Sequence, residues 1–298
     1  MDQLRAALAG RLDRLAAERP DLGAAIALQR TLLSRQIDLL DVLRTGGVPG
    51  LSLPAGYVAA KLKRGIPVFH AEPIPLPGTL LEKAAREFCD RLAAGGAAEA
   101  ASGVARAMDA RTLDPAALIS ACFGRDQRRV RSMAARDSVS PDLAWLVAEL
   151  AVAPFAHLLH VRALPAGHEG IAAALREWDR GFCPACGSWP AVVEAIGGRH
   201  ALRCSFCAAA WALAAYRCVY CGNDGETFLT AAPDPEQPGR RLQACGACGG
   251  YVKVLEAGEP APFPLVAIDD LASMDLDMAA IEKKYMRPAL PEISRTSG

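Results

Sequence analysis

Four short stretches decide how this chain reads: Cys183-Pro-Ala-Cys186-Gly187, Cys204-Ser-Phe-Cys207-Ala208, Cys218-Val-Tyr-Cys221-Gly222 and Cys245-Gly-Ala-Cys248-Gly249. Seventeen residues separate the first pair from the second, and twenty-three separate the third from the fourth. Each quartet therefore has the C-x2-C-x(about 20)-C-x2-C spacing of a four-thiolate zinc-ribbon or rubredoxin-like site. Two thiolates two residues apart reach one ion only if the backbone turns sharply between them. A glycine after the second cysteine permits that turn. Gly187, Gly222 and Gly249 occupy this position in three of the turns, and Ala208 in the fourth. The candidate metal ligands are Cys183, Cys186, Cys204, Cys207, Cys218, Cys221, Cys245 and Cys248. Sequential quartets are the simplest pairing, with a crossed one open because ten residues separate Cys207 from Cys218. A dithiol redox reading fits less well, since that chemistry needs a low-pKa thiol at a helix N-terminus and these pairs sit between β-type runs. Zinc and iron both accept four sulfurs in a tetrahedron, and spacing does not separate them.

Outward from the cysteines the texture is that of short strands at 191–196, 200–203, 227–230, 241–243 and 251–255. Turns such as Gly197-Gly198 and Asp234-Pro235 part them. Modules this small have little core of their own, so bound metal becomes part of their folding free energy. Before Gly181 the pattern is helical. Leu4, Leu8, Leu12 and Leu15 repeat at helical spacing, and Asp21 is placed to cap a helix over 22–43. Residues 48–78 read as a long irregular connection. Helix resumes at 79–94, Asp114-Pro115 and Ser140-Pro141 look like capped starts, and 167–178 and 269–285 complete the helices. The fold class is thus α with small β: a helical domain over 1–180, one module over 181–217, and a second over 218–298 with a C-terminal helix.

Bulk properties exclude several roles. Lys plus Arg and Asp plus Glu each number 33 in 298 residues, giving no net field toward nucleic acid or a membrane. The N-terminus reads as neither a secretory signal nor a twin-arginine leader, so the expected compartment is the cytoplasm. The apolar stretch 143–159 carries Glu149, His157 and Pro154, as a core helix would. Cys89 and Cys122 read as small buried hydrophobes. The five histidines form no nucleophile–base arrangement, and neither a P-loop nor a dinucleotide fingerprint is present. Arg125, Arg128, Arg129 and Arg131 make a local basic cluster, read as a solvated helix face with an acidic docking partner as the sharper alternative.

Several of these residues also carry a family resemblance. Cys183-Pro-Ala-Cys-Gly-Ser-Trp-Pro, Trp211 four residues after Cys207, Cys218-x-x-Cys221, Cys245-Gly-Ala-Cys-Gly-Gly-Tyr-Val-Lys and the tail Asp270-Leu-Ala-Ser-Met-Asp-Leu-Asp277, with Glu282 and Tyr285, resemble the formate dehydrogenase accessory protein FdhE family over about residues 181–287. The N-terminal likeness is looser, through Arg14-Leu15-Ala16-Ala17, Pro20, Leu22 and Gln36. Ala212 and Ala215 stand where many members have histidine and arginine, so roles of that pair do not carry over. The resemblance implies a cytoplasmic, chaperone-like maturation factor and not an enzyme. It further implies two metal ions, iron favoured and zinc open. The implied partner is the catalytic subunit of respiratory formate dehydrogenase, with membrane insertion and nucleic acid disfavoured and a homo-oligomer compatible. A redox or sulfur-handling protein with iron–thiolate centres and a zinc-ribbon adaptor for nucleic acid or protein are the alternatives.

Overall fold

The computed structural model describes residues 1–47, 53–165, 167–213, 216–231 and 238–290. The turn residues Asp234-Pro235 and position Ala215 lie outside the described residues. The helices are α1 (Asp2–Glu18), α2 (Gly23–Thr45), α3 (Ala55–Lys63), α4 (Gly78–Leu92), α5 (Ala98–Asp109), α6 (Pro115–Phe123), α7 (Gln127–Arg136), α8 (Pro141–Ala163), α9 (Glu169–Arg176), α10 (Val266–Ala272) and α11 (Met274–Glu282). The strands are β1 (Pro190–Ile196), β2 (Arg199–Cys204), β3 (Ala210–Trp211), β4 (Phe228–Thr230), β5 (Arg240–Cys245) and β6 (Tyr251–Glu256). Two compact units result, one of Met1–Leu51 with Pro73–Leu159 and one of Ser52–Glu72 with His160–Gly298.

In the first unit α1 packs on α2, α4 on α2, α5 and α6, and α6 on α7, while Phe123 of α6 meets Phe155 of α8 with ring centroids 5.9 Å apart. Pro141–Ala163 is long and apolar enough to cross a membrane, yet 56% of its most apolar window is buried, and Val147, Ala151, Phe155 and Leu159 are core residues. Pro154 sits inside it without an N–H to give Leu150, its i−4 residue. The carboxamide of Gln36, on α2 and only 5% exposed, donates to the Leu150 carbonyl at 3.1 Å in its place. The expected start of α2 is corrected: Asp21 accepts from the Arg19 guanidinium at 2.7 and 2.9 Å and caps nothing, and α2 begins at Gly23 without a side-chain cap. Asp114 and Ser140 do accept from the first turns of α6 and α8. Arg125 is removed from the basic cluster, for it pairs with Glu149 at 3.0 Å and lies over the Trp145 ring. Arg128, Arg129 and Arg131 are exposed on α7. Cys89 and Cys122 are both 0% exposed, and burial pushes the Cys89 thiol up to about 11 and Cys122 higher still.

The second unit is a six-stranded sheet in the order β3-β2-β1-β6-β5-β4. Within each half the strands are antiparallel; the halves meet where β1 runs parallel to β6, pairing Val192 with Lys253 through Ala195 with Glu256. The halves therefore repeat head to tail in one continuous sheet, not as two isolated hairpins. The predicted single C-terminal helix is broken at Ser273, whose hydroxyl donates to the Asp269 carbonyl at 2.7 Å and splits α10 from α11. Residues 53–78 are more ordered than expected. Within them α3 packs on α9, and the Lys61 ammonium donates to the carbonyls of Val68 and His70 and to Glu72 at 2.6–2.9 Å.

Candidate metal centres

Each cysteine pair is built by the same turn. The amide of the first cysteine donates to the carbonyl five residues on: Cys183 to Ser188, Cys204 to Ala209, Cys218 to Asn223 and Cys245 to Gly250, at 2.8–2.9 Å. The residue after the second cysteine is left-handed in all four, with φ of 80°, 57°, 76° and 70° at Gly187, Ala208, Gly222 and Gly249. Ala208 thus adopts the turn despite its Cβ. Buried Arg203 holds it there, donating to the Ala208 carbonyl at 3.2 Å, to the Ala261 carbonyl at 2.6 Å and to Glu194 at 2.8 Å. Two close approaches need glycine outright. A Cβ on Gly181 would stand 1.6 Å from the Val219 carbonyl oxygen, and one on Gly250 would stand 2.5 Å from the Tyr220 ring.

The turns bring all eight cysteines together as sequential quartets: Cys183, Cys186, Cys204 and Cys207, then Cys218, Cys221, Cys245 and Cys248, with the sulfurs of each quartet within 4.8 Å of one another. Neighbouring sulfurs lie 3.4–3.7 Å apart. A disulfide would hold them at ~2.05 Å. Four sulfurs ~2.3 Å from a central ion stand ~3.8 Å apart in a tetrahedron, so the donor set and its spacing fit one tetrahedral ion per quartet. N–H groups face the sulfurs as well: the backbone amides of Phe206 and Cys207 point at Cys204 Sγ at 3.3 and 3.4 Å, and the side-chain carboxamide of Asn223 donates to Cys245 Sγ at 3.7 Å. At Cys245 desolvation works upward, but the Cys248 and Ala247 amides outweigh it and bring the thiol down to about 7. Among the described residues, the groups able to hold an ion contain only cysteine.

The quartets differ in cover. All four cysteines of the first are buried, whereas Cys221 and Cys248 of the second are exposed. Part of the first quartet's cover comes from residues 68–69, whose amides donate to the carbonyls of Pro184 and Ala185 at 2.9 Å. That contact is missing from the sequence reading because it is made entirely by backbone. Edge-to-face stacking of Trp189 on Tyr220, 5.1 Å between centroids, joins the first half-sheet to the third cysteine turn. The tail motif resolves into an ion-pair lock. Lys253 on β6, fully buried, meets Asp270 and Asp277 at 2.7 Å each; Arg287 donates to the same two carboxylates, and the Tyr251 hydroxyl donates to Asp277. Met286 then donates its amide to Gly249 in the fourth turn, at 2.8 Å.

No family model matches the chain. Protein FdhE of Escherichia coli O127:H6 is 32% identical over 160 residues, 51% of this chain and 48% of that protein. A protein FdhE homolog of Aquifex aeolicus is 30% identical over 115 residues, 37% of this chain and 40% of its own. The crystal structure of the FdhE protein from Pseudomonas aeruginosa aligns over 97% of this chain and 94% of that one, with a TM-score of 0.58 and 25% identity. The chain is similar to FdhE proteins in both sequence and fold. Its match to the curated FdhE relatives spans about half of their length or less, while the likeness to the FdhE crystal structure takes in the helical region, the sheet and both quartets together.

Proposed function

We propose that this FdhE-like chain is a cytoplasmic, non-enzymatic maturation factor for the catalytic subunit of formate dehydrogenase, and that its eight cysteines ligate two metal ions. The observation that carries the reading is the pair of tetrahedral cysteine quartets within an FdhE-like fold. An ion in each quartet would tie two turns and a half-sheet together, and its binding free energy would be folding free energy. Iron is favoured by the family resemblance and zinc fits the same donors. Docking falls to the tail helix in part. With Asp270 and Asp277 turned inward on Lys253, α11 leaves Met274, Met278 and Ile281 exposed at i, i+4 and i+7, an apolar stripe of the kind that marks interaction sites.

The test is deletion of the gene followed by assay of membrane formate oxidation. Loss of activity, restored by the intact gene and poorly by Met278→Glu, is expected; full activity in the deletion strain refutes the proposal. Exposure of Cys221 and Cys248 favours a second reading, a redox or sulfur-handling role at the second quartet. It requires a metal that changes oxidation state or a thiol that turns over, and stoichiometric zinc with no reactive thiol refutes it.

A further inference from the structure

Strand alternation divides the sheet into two unlike faces. Glu194, Arg203 and Lys253 project to one face, where Asp270 and Asp277 of the α10–α11 region and the Ala261 segment meet them. The register Ala195 with His200, Ala195 with Glu256, and Arg241 with Val254 sends His200, Glu256 and Arg241 to the other face. There, at the end of the strands, an open cleft of about 590 Å³ is lined by Gly197, Gly198, His200, Arg241, Glu256 and Gly258 among others.

Arg241 in this cleft is partnered differently from three other arginines of the sheet and its tail. Arg203, Arg240 and Arg287 each hold a carboxylate. Arg241 instead donates from Nη2 to His200 Nε2 at 2.9 Å, and among the described residues no carboxylate lies within ion-pair distance of it. Accepting at Nε2 leaves the neutral His200 ring its proton on Nδ1. Desolvation and Arg241 both keep that ring from taking a second proton. A half-buried guanidinium and a ring donor thus share one wall, and the Glu256 carboxylate that lines the same cleft lies beyond ion-pair distance of Arg241. The two turn glycines, at φ of +55° and +79°, leave the mouth open, since a Cβ on either would meet nothing within 4 Å. Glu256, exposed on the same cleft, disfavours a multiply charged anion there.

We propose that this cleft binds a monoanionic carboxylate, with Arg241 as the principal donor and Glu256 as the group that excludes phosphate-like dianions. The carboxylate has two sources, a small free acid or the terminus of a peptide chain, and the two are separable by experiment.

The metal-loaded full chain is titrated with acetate, with acetyl-diglycine and with inorganic phosphate while the imidazole NMR signals are followed, that of His200 being assigned by its loss in His200→Gln. A saturable shift of the His200 signal with a carboxylate is expected. Arg241→Gln should weaken it about tenfold or more, as loss of a charge-assisted contact does. Arg241→Lys should recover part of that loss, and Glu256→Gln should tighten binding. Saturation by acetyl-diglycine well below the acetate concentration identifies a chain terminus, and equal concentrations identify a small acid; either supports the site. A shift that never saturates, saturation by phosphate alone, or carboxylate binding unchanged in Arg241→Gln in a protein with an intact sheet overturns it.

Discussion

Replacing Gln36 by leucine tests whether its carboxamide does the work of the N–H that Pro154 lacks. The side chain is 5% exposed, and its amide is 3.1 Å from the Leu150 carbonyl. Leucine fills a similar volume but leaves that carbonyl without its replacement donor. An unsatisfied buried acceptor costs about 1–3 kcal/mol, so Gln36→Leu should destabilise the helical unit by that amount. If the loss arises at Leu150, restoring a backbone donor removes most of it. Pro154→Ala returns an N–H at the i+4 position and lets the helix bond to itself. The double variant should then unfold within a few tenths of a kcal/mol of Pro154→Ala alone, giving a coupling of about 1–2 kcal/mol. The assay is urea unfolding followed by far-ultraviolet circular dichroism on the four proteins of the cycle. Equal costs of Gln36→Leu in both backgrounds refute the reasoning and reduce Gln36 to a space-filling residue.

The metal centres and the tail lock make further predictions. Because Cys221 and Cys248 are exposed and the first quartet is buried, a chelator should remove metal in two phases, with the slow half retained in Cys221→Ser and the fast half retained in Cys186→Ser. A single phase would refute the difference in cover. Ala208→Gly relieves a left-handed alanine at φ of 57° and should raise stability by about 0.5–1 kcal/mol, read as a higher thermal midpoint of the loaded protein; an unchanged or lower midpoint refutes it. Lys253→Met leaves two carboxylates to Arg287 alone and should cost about 3–5 kcal/mol, with no measurable loss counting against the lock. Burial works to raise the Asp270 carboxyl, but Arg287 and Lys253 outweigh it and hold it below the usual carboxylate range. The lock's stabilisation is therefore complete above the unfolded carboxylate pKa of ~3.9 and is lost as pH falls below it. Acid unfolding should begin there and be blunted in Lys253→Met.

The cysteine quartets were legible because their spacing is rigidly tied to geometry, and the flanking glycines announce the turn that each pair needs. Strands β1, β2, β4, β5 and β6 were legible from short β-type runs between turn residues, whereas β3, only Ala210–Trp211, was too short to read. What stayed hidden has physical reasons. Asp21 has a cap's position, but Arg19 two residues away competes for its carboxylate and wins. Pro154 and Gln36 are 118 positions apart in sequence, and nothing local says that one repairs the other. The cover that residues 68–69 give the first quartet uses main-chain groups that every residue owns. The Asp270–Asp277 motif was visible as a motif, but only the fold shows its carboxylates turned inward on a buried lysine, which leaves the methionine face of α11 as the outward surface.

The parallel pairing of β1 with β6 has a consequence for synthesis. As the chain leaves the ribosome, Cys183 through Trp211 can close the first quartet and its half-sheet early, but the outer edge of β1 has no neighbour until residues 251–256 emerge. During that interval Val192–Ala195 presents unpaired amides and carbonyls beside apolar side chains, a template for pairing with other chains. A nascent chain stalled or truncated before Tyr251 is therefore expected to aggregate even with its first quartet filled, and the last strand of the second half works as the seal on the first.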